Sequence, residues 1–164
     1  MKRWILYAMT SLGFGVFDWF FISKISLVWA PESKVPTVAQ AGAYFFNVAF
    51  WLVPILPITI HEAGLSEQAK RPIKAGILTW TCAVLAYYAT YAVRLSLGKV
   101  KGWEHLNIMA GKENEFWPQY WERFNALILS QILDWIWVAI LGGAIIGWLA
   151  FRVFGLHPEE TSQG

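Results

Sequence analysis

A carboxylate can take up a proton, hold a cation or act as a base, and this chain contains only two aspartates, Asp18 and Asp134. Each stands in a long apolar run, "GVFDWFFI" at 15–22 and "ILDWIWVAIL" at 132–141, and each is followed by a tryptophan. On the mildest insertion scale a charge at the bilayer centre costs about 3 kcal/mol, so such a group should either take up a proton or find a partner. The functional expectation is a protonatable or cation-binding site. Asp18, with Asn47 and the tyrosines as hydrogen-bond partners, is the better candidate because no cationic residue is its obvious mate, whereas Asp134 has Gln131 beside it and Arg94 within side-chain reach. The competing expectation is a static polar network that fixes helix register. Two carboxyls sharing one proton would also make an aspartyl dyad. The asparagine- and glycine-bearing motifs that accompany the aspartates of lipoprotein signal peptidases are missing.

Other chemistry is poorly represented. "HEAGLSEQ", from His61 to Gln68, begins like a zinc-protease helix but has Leu65 where the second histidine belongs. His105 and His157 fall in a loop and the C-terminal tail, so neither a bis-histidine haem nor a buried histidine metal site is expected. No glycine loop for phosphates and no local nucleophile signature occurs. No cofactor and no metal are expected. Cys82, the single cysteine, reads as a small buried hydrophobe and excludes an intrachain disulfide.

The elements that must position the aspartates follow from composition. The chain is 57% hydrophobic and 15% charged, with a mean hydropathy of +0.43, too apolar for a soluble domain of 164 residues. Crossing a hydrocarbon core of about 30 Å takes about 20 helical residues. Four apolar stretches are long enough, at roughly 4–29, 37–60, 73–97 and 124–153. The expected fold is all-α, a single polytopic membrane domain of four helices in an up-down bundle, with an outer loop at 98–123. A net charge of +2 with no basic patch interleaved with aromatics argues against nucleic acid as a partner.

Lys2 and Arg3 before an unbroken apolar run suit a retained signal anchor. They predict a cytoplasmic N-terminus, with Lys70, Arg71 and Lys74 on the same side and the C-terminus returning there. The bacterial inner membrane is the expected location. Pro36 precedes Thr37 and Gln40 in capping-box spacing at the start of helix 2, Pro54 and Pro57 should kink its far end, and Thr59, His61 and Glu62 mark its exit. Gly98 should stop helix 3, and "EFWPQYWERFN" should enter helix 4 along the headgroups.

Projected at about 100° per residue, each helix carries one partly polar seam. Helix 1 aligns Ser11, Gly15, Asp18 and Ile22; helix 2 aligns Gln40, Tyr44, Asn47, Trp51 and Pro54. Helix 3 aligns Gly76, Trp80, Ala83, Tyr87, Thr90, Tyr91 and Arg94, and helix 4 aligns Ser130, Gln131, Asp134, Val138 and Leu141. At about 1.5 Å per residue, Asp18, Asn47 and Tyr87 fall near the bilayer centre, with Asp134, Tyr91, Gln131 and Arg94 progressively further out. The candidate site is therefore Asp18, Asn47, Tyr87, Tyr91, Arg94, Gln131 and Asp134. Lys24 can snorkel to the headgroups and carries no argument. In "GGAIIG", Gly143 and Gly147 form a small-xxx-small pair directed away from Asp134, suited either to another subunit or to tight packing within the bundle.

Asp18 with Trp19, "YATY" at 88–91, "KGW" at 101–103 and Asp134 with Trp137 together resemble a family of predicted four-helix bacterial membrane proteins, described as a domain of unknown function. The resemblance implies the fold and no activity. The leading functional expectation is a protein that binds or translocates a small or amphipathic ligand, with proton coupling through Asp18. The alternatives are an accessory subunit of a larger membrane complex, with a homo-oligomer or other membrane partner, and an intramembrane lipid-acting enzyme using the aspartate pair. Membrane lipid is a partner in every case.

Overall fold

The computed structural model describes residues 2–29, 37–97 and 116–155, with side chains over 2–21, 49–97 and 116–155. The described residues are helical, without a strand. They form α1 (Lys2–Trp29), α2 (Thr37–Gly64), α3 (Lys70–Ser96), α4 (Phe116–Arg123), a π-helical stretch (Phe124–Leu129) and α5 (Ser130–Phe154). Gly98 and the loop to residue 115 lie outside the described residues.

Three helices are long and apolar enough to cross a membrane: Lys2–Phe21, Lys70–Ser96 and the continuous Phe116–Phe154. Within α2, Ala49–Gly64 is a shorter apolar helix. α3 begins three residues earlier than the apolar run, because Pro72 sits in its first turn, where the missing N–H has no intrahelical acceptor to lose. α2 continues through Pro54 and Pro57 to Gly64. In this turn the Thr59 hydroxyl donates to the carbonyls of Ile55 (2.9 Å) and Leu56 (3.0 Å). Ser66 Oγ then accepts from the Gln68 N–H (3.1 Å) and donates to the Gln68 carbonyl (2.9 Å), holding the tight connection to α3.

The segment expected as an interfacial approach to the last helix is itself helical. From Phe116 to Phe154 the chain runs 39 residues, about 58 Å at 1.5 Å per residue, nearly twice a hydrocarbon core. Its π-helical stretch is marked by the Ser130 N–H donating to Asn125 O, five residues back.

α3 is the central helix, packing along α5, α1 and α2, while α1 and α2 touch each other much less. Small residues let the backbones close in. A Cβ built on Gly15 of α1 would strike the Ala83 carbonyl oxygen of α3 and stand 2.9 Å from Ala86 Cβ. On the other side of α3, one on Gly143 of α5 would lie 2.7 Å from Gly76 C and O and 2.8 Å from Ile77 N. One on Gly147 would meet Pro72 O and lie 2.6 Å from Ile73 Cα. Gly143 and Gly147 thus seat α5 on α3 of the same chain, which answers the question of what these glycines contact.

Trp51 of α2 joins the helices at mid-height. Its ring lies 6.1 Å from Phe14 of α1, 6.0 Å from Tyr87 of α3 and 6.4 Å from Trp135 of α5, nearly parallel to the last at 14°. Ile55, Val84, Tyr88, Tyr120, Ile128 and Ala139 complete this core.

Candidate functional site

The seam of α1 turns inward as expected. Ser11, Gly15 and Asp18 are all buried, and Asp18 is 0% exposed. Ser11 is satisfied locally, its hydroxyl donating to Tyr7 O at 2.6 Å. Asp18 is different: neither carboxyl oxygen has a hydrogen-bond partner among the described residues. It lies in electrostatic range of Tyr87 on α3. Trp19, also buried, packs against Tyr87, Tyr91 and Leu127, so the π-helical stretch borders the layer around Asp18.

Arg94 closes that layer at the α3 end. Its guanidinium carbon lies 5.8 Å from the centre of the Trp19 ring and 6.0 Å from that of Phe20, a cation held over aromatic faces of α1. It forms no ion pair with Asp134, and its Nε has no hydrogen-bond partner among the described residues. Asp18, Tyr87, Tyr91 and Arg94 are therefore brought to one interface, between α1 and α3. Asn47 is on α2, but its side chain lies outside the described residues. Thr90 donates back to Ala86 O at 2.8 Å and serves its own helix.

The last helix corrects the sequence expectation. Ser130, Gln131, Asp134, Val138 and Leu141 are exposed, whereas the buried face of α5 consists of Ala139, Gly143, Gly147 and Ala150. Close approach of the glycine backbone to α3 decided which face turned in, and it carried the polar seam outward. Asp134 comes within electrostatic range of Tyr88. Because α1 and α5 pack on α3 and make little direct contact, the two aspartates do not meet as a dyad.

A second polar cluster, missed in the sequence, joins the start of α1 to the end of α2. Glu62 is 0% exposed, and its Oε1 receives Arg3 Nε at 3.0 Å and the Tyr7 hydroxyl at 3.0 Å. The same hydroxyl lies 2.8 Å from Nδ1 of His61, an exposed residue. Glu62 Oε2 is buried without a partner among the described residues. Read linearly, Glu62 is a helix-exit residue two positions before the terminal Gly64. The available signal was the pairing of Arg3 with Tyr7 one turn later on α1, a donor set waiting at the end where α2 of an up-down bundle would finish.

Among the described residues no group of three or more His, Cys, Asp or Glu side chains is placed to hold a metal ion. Comparisons with protein-family models, with curated proteins and with solved structures found no match to this chain.

Proposed function

We propose that this is a small integral membrane protein that binds or translocates a small amphipathic ligand, with Asp18 as the group that exchanges a proton or meets the ligand's charge. One observation carries the reading: a carboxyl with no exposed surface and, among the described residues, no hydrogen-bond partner, set between two helices that each qualify as membrane spans. A purely structural carboxylate would be expected to have its hydrogen bonds made. The surrounding rings of Trp19, Tyr87 and Tyr91 suit an apolar body bearing one positive charge. The neighbouring π-helical stretch adds support, since such stretches recur at functional sites.

The same reading takes the chain as a four-helix up-down bundle in the bacterial inner membrane, with both termini in the cytoplasm. Contact pairs support the alternating order: Tyr7 meets His61 while Phe14 meets Trp51, and Gly76 meets Gly143 while Pro72 meets Gly147. Lys2, Arg3, Lys70, Arg71 and Lys74 gather at the end that the positive-inside rule assigns to the cytoplasm.

The test is binding and flux of a lipophilic phosphonium or ammonium cation in proteoliposomes, with proton release followed by a pH-sensitive dye. Asp18→Asn should abolish proton release and weaken binding at least tenfold. Unchanged binding and release in a folded Asp18→Asn protein would remove Asp18 from the site.

The exposed seam of Gln131, Asp134 and Trp137 favours a second reading, in which this face of α5 meets another membrane subunit. Purification in mild detergent as a lone monomer would refute it.

A further inference from the structure

We propose that Glu62 is a second proton-binding site, loaded from the protein surface through His61 and Tyr7. This site is separate from Asp18 and independent of the ligand-binding reading. Its basis is a hydrogen-bonded line from an exposed imidazole to a carboxylate with no exposed surface: His61 Nδ1 to Tyr7 Oη at 2.8 Å, and Tyr7 Oη to Glu62 Oε1 at 3.0 Å. Both distances lie within the reach needed for proton transfer.

The line has a direction. A phenol carries one hydrogen, so when Tyr7 donates to Glu62 it can only accept from His61, which then holds its proton on Nδ1. A proton arriving from water at His61 Nε2 lets the Nδ1 proton pass to Tyr7 Oη as the tyrosine's own hydrogen passes to Glu62 Oε1. The imidazole ends neutral as the other tautomer, the phenol is restored, and the Glu62 carboxylate becomes a carboxylic acid. Tautomer exchange of the exposed ring with water resets the line.

The charged groups that face this end come from three helices. From α1, Arg3 contacts Oε1 and holds the carboxylate before loading; its side chain is 38% exposed, so it can turn to water once that charge is gone. From α3, which meets this end through Ala75 beside Tyr7 and Ile58, the basic groups Lys70, Arg71 and Lys74 are exposed. From α5, Arg152 lies 5.2 Å from the Trp148 ring. None of these supplies a donor to Glu62 Oε2, which is buried without a partner among the described residues. As a carboxylic acid, Glu62 has one charge fewer to bury.

The experiment is infrared difference spectroscopy of the full chain in lipid vesicles after a pH jump from neutral to acidic, following the carboxylic-acid C=O band. The Glu62 band, read as the wild-type spectrum minus that of Glu62→Gln, should be present and should persist in Asp18→Asn, which lacks the carboxyl assigned above to proton exchange. Tyr7→Phe should keep its amplitude but slow its rise by about a hundredfold, the lower end of what a positioned proton-transfer group contributes. His61→Gln, a change at an exposed position that leaves the interior intact, should slow it similarly and secures the test if Tyr7→Phe folds poorly. A band pattern unaffected by Glu62→Gln overturns the site, and a wild-type rate in a folded Tyr7→Phe or His61→Gln protein overturns the relay. Loss of ligand binding in Asp18→Asn with the Glu62 band intact would show that the two sites stand or fall separately.

Discussion

Gly143→Ala is the sharpest test of the packing that decides which face of α5 turns inward. The added methyl carbon would stand 2.7 Å from Gly76 C and O and 2.8 Å from Ile77 N, closer than real Cβ contacts, and all three atoms are backbone. No side chain can rotate away, so α5 must lift from α3 by several tenths of an ångström along their contact. Overpacking of this kind costs about 1–3 kcal/mol. For a chain of this size that corresponds to a fall in Tm of roughly 2–12 °C. Gly13→Ala is the matched control: it lies in α1 with nothing within 4 Å of its built Cβ, and it gains helix propensity of up to about 1 kcal/mol. Thermal unfolding in one mild detergent, read by tryptophan fluorescence, should place Gly143→Ala well below the wild type and Gly13→Ala at or above it. Equal Tm values for the two variants would refute the close α3–α5 crossing, and with it the outward placement of Asp134.

Further outcomes follow from the same contacts. Arg3→Gln should destabilise the protein more than Arg3→Gln combined with Glu62→Gln, because the single change leaves a buried carboxylate without its cation; a chemical-unfolding double-mutant cycle reads the difference. Asp134→Asn should shift stability by no more than about 0.5 kcal/mol and leave ligand flux unchanged, as expected of an exposed side chain outside the α1–α3 layer, and flux assays with Tm measurements check both. Trp51→Ala should cost about 3–5 kcal/mol in the same unfolding assay, since one ring contacts α1, α3 and α5.

Hydropathy pointed to an all-helical chain with membrane-length helices, of which three are long and apolar enough to span, and the spacing of Ser11, Gly15 and Asp18 puts all three on the buried face of α1. Helix 3 was similarly readable, because Gly76, Trp80 and Ala83 share a face and all three are buried. The last helix misled because polarity was taken as the guide to its inner face. In a bilayer lipid solvates apolar faces well, so close contact at small residues can outweigh the turning-in of a polar seam. Gly143 and Gly147 carried that information. Glu62 was hidden by its position near a helix end, where a glutamate ordinarily faces water; its burial depends on residues 55 and 59 positions earlier, a separation no local pattern reports. The π-helical stretch has no distinct composition in "FNALIL" and could not be foreseen.

That stretch bears on how the long final helix is built. Following the inward positions Tyr120, Phe124, Ile128 and Ile132 in steps of four, a regular α-helix would overshoot by about 40° at each step and carry Tyr120 out of the core. Widening one turn between Phe124 and Leu129 absorbs the overshoot, so the helix holds one surplus residue there without disturbing either flank. Deleting a single residue inside this stretch should therefore leave α4 and α5 facing as they do now, whereas the same deletion at Val138 would rotate everything before it by about 100° relative to α3.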